Sequence, residues 1–295
     1  MSRISYVNGN YCEQKDSFVH IEDRVYQFPD GVYEVFGVIN KKIVDYDGHI
    51  NRLFRSLNEV QINSPINKSS YYFHIKRLIK INRIDDGLIY LQITRGVAER
   101  DFKFPKKTRP SFVMIAKSIS LDSYENAFKK GIKVRTIKDL RWKRVDIKTI
   151  NLLDPVLAKQ EAADNNCQEA WLIDDDGFVT EGSSSTAWIL RKNTLYTTPL
   201  SNSILNGITR QSLIKGLKKN KLKLIEKNFN INDIKEADEA YITSATQYVM
   251  PVVSVDNFKI GNGKVGKYAS IFSKAYKEAV KLPKKKYNKK FNRTS

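Results

Sequence analysis

Four short segments carry residue types that could do chemistry. The first is Lys148, in the run Asp146-Ile147-Lys148-Thr149-Ile150-Asn151-Leu152-Leu153. A lysine set among apolar neighbours loses hydration, which disfavours its charged form and leaves the free amine as a nucleophile. In a chain this rich in lysine, a solvent-facing side chain is the plain alternative. The second segment is Glu181-Gly182-Ser183-Ser184-Ser185. A carboxylate at a strand end beside hydroxyls can hold a heterocyclic nitrogen or an anion; the alternative is a polar turn. The third, Asn206-Gly207-Ile208-Thr209, opens a helix, where free N–H groups and the helix dipole suit a phosphate. Taken alone it is unspecific. The fourth runs from Arg95 to Arg100 in a long loop after a strand. Such loops often carry substrate contacts, and a mobile surface loop is the alternative.

These segments need a scaffold, and the hydrophobic pattern outlines one. Residues 31–44 read as a strand pair turning at Asn40-Lys41. Residues 49–61 read as a helix, because Ile50, Leu53, Phe54, Leu57 and Val60 form one apolar stripe at helical spacing. Residues 72–81 pass the same test. Strands are expected at 88–94 and 111–116, separated by the polar loop 95–110, and residues 117–130 read as a link. A strand at 132–136 follows, then a stretch of mixed strand and loop character at 146–153. Asp154-Pro155 offers an N-cap and a proline at the first position of a helix reaching about residue 165. Residues 171–173 and 178–180 flank Asp174-Asp175-Asp176-Gly177, a hairpin signal. Further strands are expected at 186–190, 195–197, 239–243 and 252–256, with helices at 206–219 and 264–280. Both halves mix strand and helix without a regular βαβ alternation, so the expected class is α+β. At roughly 150 residues per domain, 295 residues make about two domains. The division read here is a small N-terminal α+β domain at 1–120, a larger domain at 121–280 that carries Lys148, and a basic tail at 281–295.

Composition removes several function classes. Two cysteines, Cys12 and Cys167, exclude a disulfide scaffold and a cysteine-based zinc site. Three scattered histidines, His20, His49 and His74, make no metal pair, so no metal is expected. No GxGxxG or Walker A run occurs, and no Ser-His-Asp order stands out. No apolar run reaches the roughly 18 to 20 residues that cross a bilayer, and residues 1–11 lack a signal-peptide core. A soluble, cytoplasmic protein is expected. The formal charge of +19 is concentrated partly in the tail. With no binding fold around it, the tail reads as solvated rather than as a nucleic-acid site. Chemistry then falls to lysine, carboxylates, hydroxyls or an organic cofactor.

Jointly, the segments resemble the fold-type IV pyridoxal-phosphate aminotransferases, and within them the D-amino acid (D-alanine) aminotransferases. The resemblance spans residues 21–276. It is carried by Asp30-Gly31-Val32-Tyr33-Glu34-Val35, His49-Ile50-Asn51-Arg52-Leu53, Gln92-Ile93-Thr94-Arg95-Gly96 and the Lys148 segment. It is carried further by Val156-Leu157-Ala158-Lys159-Gln160-Glu161-Ala162, Thr180-Glu181-Gly182-Ser183-Ser184-Ser185, Gly207-Ile208-Thr209-Arg210 and Ile242-Thr243-Ser244.

The resemblance implies two α/β-type domains with the active site at their interface. It implies that Lys148 carries pyridoxal 5′-phosphate as an internal aldimine and then moves the substrate proton. It implies that Glu181 partners the pyridine nitrogen, and that Arg52, Ile208, Thr209 and Ser244 bind the phosphate. Leu205 would pack on the ring, Tyr33 would contact the substrate carboxylate, and Arg100 would reach that carboxylate from the other subunit of a homodimer. Helical spacing alone sets Arg52 about 200° from Ile50, on the solvent side; only the resemblance promotes it. Two departures stand out. The loop pattern Arg-x-His of D-alanine aminotransferases reads Arg100-Asp101-Phe102 here, so one carboxylate donor is missing. Ala245 stands where the family carries Thr, a loss on the order of 1 kcal/mol in cofactor retention for one neutral hydrogen bond.

The implied reaction is D-alanine plus 2-oxoglutarate to pyruvate plus D-glutamate, by a ping-pong route. A branched-chain L-amino acid aminotransferase and an aminodeoxychorismate lyase-like enzyme are the alternatives on the same fold.

Overall fold

A computed structural model describes residues 3–218 and 222–281. The basic tail beyond residue 281, and the expected end of a helix at residue 219, lie outside the described residues.

The first sheet is antiparallel and has six strands, in the order β2-β1-β6-β5-β3-β4. They are β1 (Ile4–Val7), β2 (Asn10–Glu13), β3 (Gly31–Ile39), β4 (Lys42–Ile43), β5 (Gly87–Thr94) and β6 (Ser111–Ser118). Two helices cover it, α1 (Tyr46–Glu59) and α2 (Lys68–Ile81). The α1 stripe does what its spacing requires: Ile50, Leu53 and Leu57 are buried against Val32, Phe36 and Ile89, with Phe54 and Val60 at the margin. The β3–β4 turn falls at Asn40-Lys41, both with positive φ.

The second sheet has nine strands and runs β12-β11-β10-β13-β14-β7-β8-β9, with β15 paired to β14. Its strands are β7 (Ile132–Lys138), β8 (Glu169–Ile173), β9 (Val179–Gly182), β10 (Thr186–Arg191), β11 (Thr194–Thr197), β12 (Lys223–Glu226), β13 (Glu239–Ser244), β14 (Tyr248–Val255) and β15 (Phe258–Lys259). The pairs β11–β12, β14–β7 and β7–β8 are parallel and the rest antiparallel. The helices of this half are α3 (Leu121–Lys130), α4 (Leu153–Asp164), α5 (Ile208–Leu217), α6 (Ile231–Lys235) and α7 (Tyr268–Ala279). Leu213 and Leu217 of α5 and Phe272 and Tyr276 of α7 bury against Trp188, Tyr241 and Val249 of the sheet. Mixed, largely antiparallel sheets with helices on them make an α+β fold.

Three expectations change. Residues 117–130 are not a plain link: they hold the end of β6 and then α3. Ser120 caps α3 through its hydroxyl, and Tyr124 and Phe128, one turn apart, pack on the second sheet. Asp154 is not an N-cap. The helix starts earlier, with Leu152 at the cap position, and Pro155 sits in the first turn, where its missing N–H costs nothing. Residues 146–152 form no strand of their own, touching β3 by a single bridge between Val32 and Thr149. Among the described residues, no helix is long and apolar enough to cross a membrane.

Candidate active site

One cavity of about 200 Å³ opens between the two sheets. Its wall takes Tyr33 from β3, Arg52 from α1, Lys148 from the loop before α4, Glu181 from β9, and Leu205, Ile208, Thr209 and Ser244 from the second half. Eight of the nine residues singled out from sequence therefore share one wall. Arg100 does not.

The lysine is placed by its backbone. Its N–H donates to Ser56 Oγ at 3.2 Å, and its carbonyl accepts from the Tyr33 N–H at 3.1 Å. The Ile150 N–H donates to the Gly31 carbonyl at 3.1 Å. The segment is thus stitched along β3, and Gly31 fits there because a Cβ would stand 3.0 Å from the Ile150 side chain and 2.7 Å from the Ile93 carbonyl. The Lys148 amine then lies 4.0 Å from the centre of the Tyr33 ring. Asp146, two residues before, is clamped by Arg55 and Arg144.

Glu181 is buried. Its Oε1 accepts from Arg141 Nη1 at 2.6 Å and from the Leu205 N–H at 3.1 Å. Burial pushes the Glu181 pKa up. The Arg141 charge and hydrogen bond, the Leu205 N–H and the Lys148 charge oppose this, and the net stays above the ordinary carboxylate value. The hydroxyls that follow are not free donors. Ser184 and Ser185 donate to the fully buried Glu169 at 3.0 and 3.1 Å, as Ser183 does, and Lys159 completes the group at 3.1 Å. They form a braced wall rather than an anion clamp.

The opposite end of the cavity suits a phosphate. Gly207 caps α5, leaving the Ile208 and Thr209 N–H groups at the unpaired first turn. Arg52 points there and is buried, against its expected solvent exposure. The reason is Glu34 across on β3, which accepts from Arg52 Nε at 2.7 Å and Nη2 at 3.0 Å, while Nη1 donates to the Asn206 carbonyl at 3.0 Å. His49 packs inside α1, as its helix position suggests, and adds a third contact to Glu34 at 2.8 Å. Burial alone would raise the Glu34 pKa, but the Arg52 and His49 charges and hydrogen bonds outweigh it and hold the carboxyl at about 2. Ser244 lies at the end of β13. Ala245 and Thr246 follow it on the same wall, with the Thr246 hydroxyl 3.4 Å from the Ser244 hydroxyl.

Glu34→Gln strips the buried Arg52 of its counter-charge and is expected to cost about 3 kcal/mol near neutral pH. The folded pKa lies below the unfolded one. The stability contributed by the pair is therefore in place above about pH 4.5 and is lost as the pH falls through about 2. Urea unfolding across this window checks it: the wild-type and variant midpoints converge on acidification. A gap that persists undiminished contradicts the assignment.

Arg100 is exposed and lies outside the cavity, 5.2 Å from the Phe28 ring centre and 5.5 Å from that of Phe102. Its loop is anchored from below. Arg24 donates to the Asp101 carbonyl at 2.6 Å and to Asp30 at 2.7 Å. Arg95, at the start of the same loop, is buried on Asp30 and on the carbonyls of Val60 and Gln61 just past the end of α1. Arg95 therefore braces the loop rather than a substrate.

The donor set fits pyridoxal phosphate: a guanidinium, a helix N-terminus and hydroxyls suited to the phosphate, an amine, and a buried carboxylate, all lining one cavity. Arg141 and Glu169 carry no mark in the sequence, and Glu34 is marked there only as part of a motif, without its role as the partner of Arg52. Each works through a partner distant in the chain, and no local pattern marks those pairings.

Comparison with known proteins agrees. The family amino-transferase class IV matches residues 31–255. The chain is 39% identical over 259 residues to a D-alanine aminotransferase of Bacillus licheniformis, covering 88% of this chain and 90% of that one. It is 40% identical over 261 residues to a D-alanine aminotransferase of Listeria monocytogenes, with the same coverage. Among solved structures, the branched-chain amino acid aminotransferase of Escherichia coli superposes with a TM-score of 0.88 at 20% identity, covering 98% of each chain, a likeness of fold. The fold, the cavity and these matches together settle the family: the chain belongs to the class IV aminotransferases, transaminases that work with pyridoxal phosphate.

Proposed function

We propose that the protein transfers the amino group of a D-amino acid, D-alanine foremost, to 2-oxoglutarate, yielding pyruvate and D-glutamate in two alternating half-reactions. The observation that carries this reading is the shared wall of Lys148, Tyr33 and Glu181 in a chain close to D-alanine aminotransferases along nearly its whole length.

Bound pyridoxal phosphate supplies an electron sink for the carbanion formed at the substrate Cα. Lys148 would anchor the cofactor through its amine, and that same amine would serve as the base that moves the substrate Cα proton. Glu181 would meet the ring nitrogen. Arg52, the Ile208 and Thr209 N–H groups and the Ser244 hydroxyl would hold the phosphate, and Leu205 would pack on the ring. Thr246 offers a hydroxyl one residue beyond Ala245.

Tyr33 contacts the substrate carboxylate. The guanidinium and amine groups on the wall already have roles: Arg52 with Glu34 at the phosphate end, Arg141 with Asp139 and Glu181, and Lys148 at the cofactor. The carboxylate's cation must therefore come from outside, which supports Arg100 of a second copy and hence a homodimer. Two free cysteines, Cys12 and Cys167, accord with a cytoplasmic setting. The domain division at residue 120 is kept as part of this reading, since the first sheet ends at Ser118 and the second begins at Ile132.

One observation favours branched-chain L-amino acids instead: Phe102 puts an exposed ring where a histidine donor belongs. Assays of D-alanine and L-leucine, each with 2-oxoglutarate, decide between them. D-alanine is expected to react faster, and faster turnover of L-leucine overturns the first reading.

A further inference from the structure

Glu181 sits at the end of an ion-pair chain that the reaction as described leaves unused. Arg141 lies in the loop after β7 with its side chain 8% exposed. It forks onto Asp139, with Nε to Oδ1 at 2.9 Å and Nη2 to Oδ2 at 2.8 Å. Its Nη2 also reaches Thr180 Oγ1 at 3.2 Å and the Ser203 carbonyl at 3.1 Å. Thr180 in turn donates to Asp139 at 2.7 Å. With both edges of the guanidinium held, Nη1 has one direction left, and it donates to Glu181 Oε1. The Leu205 N–H lands on the same oxygen. Among the described residues, the hydrogen bonds to this carboxylate fall on Oε1, Oε2 takes none, and Glu181 lines the cavity.

We propose that Arg141 is the positioning residue of the ring-nitrogen site: it fixes one oxygen of Glu181 and so presents the other, as an anion, to the cofactor ring. The proposal rests on the reading of Glu181 given above. Its physical basis is charge. Asp139 is a largely buried carboxylate and Glu181 a buried one, and Arg141 is the cation between them. Without it, burial favours the neutral acid. A neutral Glu181 gives a protonated pyridine nitrogen no counter-charge, and the ring loses electron-sink character. A residue serving only to clip the loop to β9 would leave the ring's proton untouched.

The test uses holoenzyme loaded with pyridoxal phosphate labelled with ¹⁵N in the ring, whose nitrogen chemical shift separates protonated from neutral pyridine. Wild type is expected to show the protonated shift. Arg141→Gln moves it toward neutral pyridine and slows the D-alanine half-reaction by about 100-fold with KM little changed. Arg141→Lys, which keeps the cation, restores the protonated shift. A folded Arg141→Gln that retains the protonated shift overturns the proposal. If that variant does not fold, Arg141→Met, which leaves no unpaired donors, takes its place. Should neither fold, Arg141 serves the fold and the proposal falls. Glu181→Gln is the separate control: a protonated shift in that variant means that Glu181 is not the ring's partner, whatever Arg141 does.

Discussion

Lys148→Ala abolishes transamination, with a loss of about 10⁴-fold or more, and leaves the fold standing. The two halves of this expectation rest on different atoms. What ties the segment to β3 and α1 is the backbone N–H and carbonyl of residue 148, which alanine keeps. The side chain contributes its amine against the Tyr33 ring. Removing it takes away both the cofactor's anchor and the base beside the reacting carbon, with little packing lost. Steady-state rates with D-alanine, together with circular dichroism of the same sample, check both halves. A variant that keeps a tenth of its activity removes Lys148 from the chemistry.

The second large effect is at Glu181. Glu181→Gln keeps the volume and the hydrogen bond from the Leu205 N–H but removes the negative charge. The half-reaction rate is expected to fall by about 100-fold to 1,000-fold, the scale on which one preorganised electrostatic contact is felt. Binding of the cofactor phosphate, at the other end of the cavity, stays within a few-fold. The glutamine also leaves Arg141 facing Asp139 alone, so some loss of stability accompanies it. Single-turnover absorbance changes with D-alanine, set beside cofactor dissociation constants, separate the two effects. Equal losses in both would place Glu181 in general cofactor retention instead.

How much of this was legible in the sequence varies residue by residue. The α1 stripe and the hairpin at Asp174–Gly177 follow from local pattern, because each is decided by neighbours three or four residues away. The β1–β2 hairpin turns on Asn8-Gly9, both at positive φ, a dipeptide that is itself a hairpin signal. Arg52 shows the limit of periodicity. Its position on the helix wheel predicts solvent, and a carboxylate on another element, Glu34, brings it inside. Arg141 is a harder case: it stands in a run with Lys143 and Arg144, and nothing local separates the buried guanidinium from the exposed ones. The serines after Glu181 were visible as hydroxyls, but their acceptor, Glu169, lies on the neighbouring strand. Pattern thus places most of the elements around the site, but not β1, β2, α3, β12 or α6, and the ion pairs across elements, which shape the site, are visible only in three dimensions.

The most direct test of the central claim is chemical. Borohydride reduction of the cofactor-loaded enzyme fixes pyridoxal phosphate to the lysine that holds it, and peptide mass spectrometry reads the position. The label is expected on Lys148 alone. A label on any other lysine contradicts the account.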